Sequence, residues 1–463
     1  MADKLLIRAY NVGCGDCIYV RIPSPDDGFH ILIDCGKKGG DGLLKQAIEH
    51  LQGELPKGKK AGTKRLDLIV ATHRHEDHLK GFNPEWFENI EVQNIWLSAA
   101  MDPKHPQAEG VRKMRAIATQ AMRALMESGR ALSPEVELLA SLYGVSNDAA
   151  DKLLMEELPA ANKIKPKYVH RGQTGRELEL ELPAQTAIHI LAPEENIDGF
   201  YLGKEGAATL KGFRGVAGNG GEAAAAAVPE PAAEAPENIS AADFRVLQSR
   251  MVSNALAFAA KESSIQNNLS VVLLIEWKKR RLLFVGDAEW EGEFKDGRHN
   301  GSWNVMWEMH KEGLLQSPVD FLKIGHHGSI NATPPPRDDS PAARKAPEGG
   351  IYDLLDAILP VPKAGRQPKA QAIISTEREF YNPIPECKVM VDVARRVRNT
   401  RNYGASFAAA GIEPESLWAT PKAKKNKFYE TYEKSFLDQP QPLRTDLEFA
   451  LQGSHFVEVE IEE

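Results

Sequence analysis

The sequence predicts a mixed α/β (α+β) fold, and three observations predict it. Short β-rich runs broken by turn residues open the chain, stretches of helical composition fill its middle, and a second set of β-rich runs follows between residues 271 and 324. Its 463 residues bound one large domain or two ordinary ones, with ample chain to bury a core. No apolar run approaches the ~20 residues of a membrane span, and Met1-Ala2-Asp3-Lys4 leads into a strand rather than a signal peptide. The expectation is a soluble, cytoplasmic protein with no membrane partner. Four cysteines, Cys14, Cys17, Cys35 and Cys387, are too few for a disulfide framework in a chain this long. A net charge of −8 argues against nonspecific coating of DNA and leaves room for a local basic groove.

Leu5 to Val12, Cys17 to Ile22 and His30 to Asp34 read as an antiparallel meander, broken by Gly-Cys-Gly-Asp and Pro-Ser-Pro-Asp-Asp-Gly. Cys14 and Cys17 form a CxxC, but no second CxxC exists and the pair straddles a turn, so a structural role is expected. Asp34 closes its strand beside Cys35 and Gly36, where a carboxylate can hold a neighbouring loop by hydrogen bonds. A helix is predicted from Leu43 to Gln52, with Leu44, Ala47, Ile48 and Leu51 on one face.

An apolar run from Leu66 to Val70 reads as a buried strand, and Ala71-Thr72-His73-Arg74-His75-Glu76-Asp77-His78-Leu79-Lys80-Gly81 follows it. Three of the chain's 13 histidines fall here at HxHxDH spacing. A strand ending just before His73 would project His73 and His75 to one side, because side chains two apart share a face. After the turn, Asp77 and His78 can face a second point nearby. One short loop then has the ligands for two cations, an arrangement that activates water and neutralises charge on a phosphoryl or acyl centre.

Glu91 to Leu97 reads as another strand, and residues 101–170 as a helical insertion in which Met114, Ile117, Ala121, Met122, Leu125 and Met126 recur at core spacing. Within it, Leu138 to Met155 has the outline of a helix-turn-helix. Its second helix would open on Asp148 and Asp151, and carboxylates there repel phosphates. Strand character is predicted again at Glu177 to Leu182 and Thr186 to Leu191, where His189, between two isoleucines, is a strand histidine rather than a ligand. Residues 215–240 collapse into Gly, Ala, Pro and Glu, the composition of a flexible loop. A helix from Asp243 to Lys261 leads back to the sheet.

Asn267-Asn268-Leu269-Ser270 precedes a strand from Val271 to Trp277, whose hairpin partner, Arg281 to Val285, ends in Gly286-Asp287. A carboxylate held at a strand end can bridge two cations, one oxygen to each. The next strand, Asp320 to Ile324, runs into Gly325-His326-His327-Gly328-Ser329. His326 is the expected ligand that closes the second site, with His327 a further ligand or general acid; sequence does not separate them.

Asn11-Val12-Gly13-Cys14-Gly15-Asp16, Ile31 to Gly36, the histidine loop, Gly286-Asp287 and His326-His327-Gly328-Ser329 together resemble the metallo-β-lactamase fold superfamily. Within it they look like the soluble relatives of the DNA-uptake channel protein ComEC, whose motifs read DVGQGD, LIDxG and HxHxDHxxG. This chain has Asn11 for the first Asp and Cys14 for Gln. The resemblance implies a four-layer αββα sandwich over residues 1–463, with the insertion at 101–170 and a C-terminal extension at 386–463. It implies His73, His75, Asp77, His78, Asp287 and His326 as metal ligands, with Asp34, Asn267, Asn268 and Ser270 supporting them. Where many superfamily members have a third histidine, this chain has Asn267, Asn268 and Ser270, a poorer nitrogen set that suits Mn²⁺ as well as Zn²⁺. Ala372 to Thr376 and Asn382-Pro383 are similar to the family's late strand and its Asn-x-Tyr-Gly-His-Pro segment, without that histidine.

The implied activity is metal-dependent hydrolysis of phosphodiesters in DNA or RNA by metal-activated water, with Asp77 and His327 catalytic. Alternatives are a hydrolase of a small nucleotide, thioester or lactam, and a weakly catalytic binding module with a protein partner in a defence or DNA-processing system. Arg395, Arg396, Arg398 and Arg401, expected on one helix, and Lys422, Lys424, Lys425 and Lys427 near Trp418, Phe428 and Tyr429 would suit a nucleic-acid path.

Overall fold

In a computed structural model the residues described are 4–127, 131–143, 145–204, 206, 240–311, 313–337, 341–377, 384–399, 409–411, 427–432, 444–445 and 455–463. The fold is mixed α/β. One sheet has seven strands in the order Phe456–Ile461, Leu5–Tyr10, Cys17–Ile22, Phe29–Cys35, Leu68–Ala71, Ile95–Ser98 and Lys167–Val169. Its first pairings are antiparallel and those from Phe29–Cys35 onward are parallel. A second sheet has six strands in the order Arg444–Thr445, Gln371–Ser375, Phe321–Ile324, Arg280–Phe284, Val272–Trp277 and Thr186–Ala192, parallel up to Arg280–Phe284 and antiparallel beyond. A parallel pair, Lys64–Leu66 and Ile90–Val92, stands apart.

Alternation along the strands sorts their side chains into separate cores. Ile31 and Ile33 of the first sheet pack with Leu273, Ile275 and Phe321 of the second, so the two sheets bury one core between them. Leu32 and Ile69 point the other way, onto Leu44, Ala47, Ile48 and Leu51 of the helix Gly42–Glu54. Val272, Leu274 and Leu283 of the second sheet pack outward with Trp303, Met306, Leu354, Leu355, Val389 and Met390 from three helices. A further core joins Met114, Ala118, Ala121 and Met122 of the helix Glu109–Glu127 to Ala255, Phe258 and Ala259 of the long helix Ala241–Asn268.

Several expectations need correction. The segment from Glu177 to Leu182 is not a strand: Leu178, Glu179 and Leu180 donate their N–H groups back to Thr174, Arg176 and Gly175, making a turn. Its alternating apolar residues arise because Leu178 and Leu180 plug the core between the sheets. The strands read at 66–70 and 91–97 are each split in two, one part in the small pair and the other in the seven-stranded sheet. Met126, placed on the core stripe, is 40% exposed. The helix expected to carry Arg395 to Arg401 ends at Ala394. The loop read at 215–240, except Ser240, lies outside the described residues, as do Asn382, Pro383, Arg401, Trp418, Lys422, Lys424 and Lys425. Among the described residues, no helix is long and apolar enough to cross a membrane.

Candidate metal centre

The predicted ligands gather where the parallel strands of both sheets end, the edge at which connecting loops are free to carry chemistry. The strand Leu68–Ala71 stops one residue before Thr72, and the short helix Glu76–Leu79 turns the chain back at once. Thr72 is held from below: its N–H and Oγ1 both donate to the Asp34 carboxylate at 2.7 Å, and its carbonyl accepts from Val271 N–H of the other half at 3.0 Å. Gly36 lies so close to this turn that a Cβ there would sit 2.3 Å from the His78 backbone nitrogen. No larger residue fits.

Among the described residues, three groups of buried His and Asp side chains are suited to hold a metal ion; one of them, Asp16, Asp34 and His78, is already tied up by Lys323 on Asp16 and by the Asp34–His78 contact, and the other two converge. His73, His75 and Asp287 form one, and Asp77, His78, Asp287 and His327 the other, with potential ligand atoms in each within 4.8 Å of one another. Asp287 belongs to both. His78 Nδ1 donates to Asp34 Oδ2 at 2.7 Å, which leaves Nε2, 3.2 Å from Asp287 Oδ2, as the ring nitrogen turned towards the centre, able to ligate once it gives up its proton. His327 Nδ1 donates to the Ser375 carbonyl at 2.9 Å, so its Nε2 faces Asp77 Oδ2 at 3.0 Å. His73 Nδ1 lies 3.1 Å from Thr72 Oγ1 and 3.2 Å from Ser270 Oγ, and its Nε2 meets His75 Nδ1 at 3.0 Å.

The donor set fits a cation. Asp77 Oδ1, His78 Nε2 and Asp287 Oδ2 are buried with no hydrogen-bond partner, a costly condition for polar atoms that coordination removes. Burial holds His73 and His75 well below the usual imidazole range, in the neutral form that ligates. Burial also opposes charge on His78, yet the Asp287 and Asp34 carboxylates outweigh it and raise its pKa well above the usual value. For Asp77, burial disfavours ionisation, but Lys38, His327 and His78 outweigh it and hold the carboxyl well below its ordinary range. Asp287 is likewise held low despite burial, chiefly by His78 and His326.

The supporting residues divide by role. Ser270 Oγ accepts from Asp287 N–H at 3.0 Å while touching His73, tying the two halves together. Asn267 and Asn268 do not reach the ligand groups through hydrogen bonds; both side chains donate to Glu289, and Asn268 Oδ1 accepts from the N–H groups of Glu289 and Ser302. They anchor the end of the long helix to the Asp287 loop.

The expectation for His326 is corrected. Its side chain is 23% exposed and its Nε2 lies 3.9 Å from Asp287 Oδ2, whereas its backbone N–H donates to Asp287 Oδ1 at 3.0 Å. The residue that joins the second group is His327. Both adopt left-handed backbone, φ 45° and 53°, and this turn between glycines aims His327 inward.

Arg396 is also corrected as a nucleic-acid contact. It is buried, and its guanidinium binds Asp392, Asp356 and the Leu359 carbonyl. Arg395 lies 3.7 Å from Asp392, and Arg398 is exposed. His189 meets Glu276 at 3.3 Å on its strand, away from the centre. Cys17 and Cys35 lie side by side, Sγ to Sγ 3.9 Å, and all four cysteines are buried thiols outside any disulfide.

Three contributors were not singled out from sequence. Lys38 places Nζ 3.1 Å from Asp77 Oδ2, Glu289 gathers Ser264, Asn267, Asn268 and Asn331, and Ser263 Oγ lies 3.4 Å from His75 Nε2. Only Glu289 had a local signal, two residues beyond Asp287. In comparisons with known proteins, no family model and no curated protein matches this chain.

Proposed function

We propose that the chain is a metal-dependent hydrolase of the metallo-β-lactamase fold, of the soluble ComEC-like kind, acting on phosphodiester bonds of DNA or RNA. The core shared by the sheets, with helix-bearing cores on their outer faces, supports an αββα sandwich carrying an insertion at 101–170 and an extension at 386–463. The observation that carries the functional reading is the sharing of Asp287 between two buried donor groups.

Two divalent cations, Zn²⁺ or Mn²⁺, would be held by His73, His75 and Asp287 on one side and by Asp77, His78, Asp287 and His327 on the other. When bound they would supply Lewis acidity, activating water and neutralising charge on the ester. The chain's own residues do the rest. Asp34 and the Ser375 carbonyl set the tautomers of His78 and His327, so both rings present Nε2. Asp77, held ionised, keeps Oδ1 without a protein partner and is the oxygen suited to orient an attacking water. Burial of His73, His75, Asp77, His78, Asp287 and His327 strengthens each of these interactions.

The test is cleavage of labelled single- and double-stranded DNA, RNA and bis(p-nitrophenyl) phosphate under Zn²⁺ and Mn²⁺, with Asp77→Asn and Asp287→Asn as controls. Metal-dependent cleavage of the polymers that both variants lose is the expected result. Cleavage of the small ester alone would move the assignment to a small-molecule hydrolase, and metal binding without turnover on any ester would overturn the enzymatic reading.

A further inference from the structure

We propose, on the reading of the centre as two metal groups, that the helical insertion positions one of them: Arg115 and Asp151 grip Arg74, the residue between His73 and His75, and so set the spacing of those two ligands. Arg115 and Asp151 are then positioning residues, and the insertion is part of the centre.

The loop that carries the ligands is held in two ways. Its ends are fixed from the sheets, Thr72 by Asp34 and Val271, and His78 by Asp34. Between them the insertion takes hold. Arg115, on the helix Glu109–Glu127, donates from Nη2 to the Arg74 carbonyl at 3.3 Å and to the Leu142 carbonyl at 3.0 Å. From the helix Val145–Lys152, the Asp151 carboxylate lies 3.1 Å from Arg74 Nε. Arg74 is therefore held by its backbone and by its side chain, from two different helices of the insertion.

Arg115 is itself built in. Its Nη1 lies 3.4 Å from Oε2 of Glu262, a fully buried residue on the long helix Ala241–Asn268, and its guanidinium carbon stands 4.5 Å from the centroid of the Tyr143 ring. Tyr143 Oη lies 2.7 Å from the same Glu262 oxygen. A planar guanidinium can serve a carboxylate, two carbonyls and an aromatic face together, which an ammonium does not match. The long helix also reaches the second histidine directly, with Ser263 Oγ 3.4 Å from His75 Nε2. Packing alone does not call for this network, because the two helices already share an apolar core of Met114, Ala118, Phe258 and Ala259. A cation on His73 and His75 would fix the same loop that the insertion grips, so metal binding and order in the insertion are linked in both directions.

The experiment titrates Mn²⁺ calorimetrically into wild type, Asp151→Asn, and the double variant Arg115→Met with Glu262→Gln, in which no carboxylate is left buried without its cation. His75→Ala and His327→Ala identify which group each cation fills. Arg123→Met removes another ion pair of the insertion, to Asp148 at 2.7 Å, that does not touch the loop. Thermal unfolding is recorded for each protein, and hydrogen exchange is followed in the helix Glu109–Glu127 with and without metal. The double variant is expected to lose about 10–100-fold in affinity for the cation that His75→Ala loses and to keep the cation that His327→Ala loses. Asp151→Asn should show a smaller loss of the same kind, and it decides the matter if the double variant does not fold. Metal should slow exchange in the helix in wild type and not in the double variant. Arg123→Met should keep both affinities within about twofold of wild type. Equal losses for both cations, no loss for either, or the same selective loss in Arg123→Met would overturn the proposal and leave the insertion as packing alone. Wild type that binds two cations and turns over no ester would end the hydrolase reading while the titration still decided the insertion. Wild type that binds none would overturn both.

Discussion

The two sheets contribute to the centre in different ways. The seven-stranded sheet delivers His73, His75, Asp77 and His78 from one loop, whereas the six-stranded sheet delivers Asp287 and His327 from the ends of two separate strands. The first contribution has local support, with Asp34 beneath Thr72 and His78. The second leans on the first: Asp287 N–H on Ser270 beside His73, and His327 Nε2 on Asp77. A ligand loop and its partners therefore meet only when the sheets are docked. Asp287 is the joint.

The joint between the two contributions is disrupted most severely by a change at Asp287. Asp287→Asn keeps an oxygen for His326 N–H but removes the charge shared by both groups, and metal affinity is expected to fall on the order of a thousandfold across both, read by competition with a chelator. Next come the adjacent histidines. His327→Ala should weaken binding roughly a hundredfold at one group while His326→Ala changes it only a few-fold, and equal effects would show that the left-handed turn does not separate them. Asp34→Asn reaches the two groups that share Asp287 only through His78 and Thr72, and should cost about 10–100-fold in metal affinity there.

The smallest effect is on protons. His78 and His327 are raised and so charged at neutral pH without metal, while His73 and His75 are lowered and already neutral, and Asp77 and Asp287 are lowered and already ionised. Metal binding should then release about two protons, with affinity rising as pH rises towards the raised pKa values. Calorimetry in buffers of different ionisation enthalpy measures the number. Release of no protons would place the cation elsewhere.

The sequence was most legible where one local pattern carries the information. Leu44, Ala47, Ile48 and Leu51 lie buried on the helix where their spacing put them, and HxHxDH brought its four donors to one place. Legibility failed where topology or a single dihedral decides. Two histidines in a row are equivalent on paper, and only the φ angles at His326 and His327 turn one inward. Leu178 and Leu180 mimic a strand because a turn that plugs a core buries alternate residues too. Arg396 reads as a solvated cation until Asp356, from a distant helix, is brought beside it. Lys38 shows nothing by type or spacing; its meaning lies in the close approach of Gly36 to the ligand turn.

The most direct test of the central claim is a crystal structure of the protein grown with Mn²⁺ or Zn²⁺, with cations located by anomalous scattering above and below the metal edge. Density is expected on both sides of Asp287, with one cation ligated by His73 and His75 and another by Asp77, His78 and His327. A structure in which these side chains keep the contacts described and no cation lies within coordination distance of Asp287 would contradict that claim.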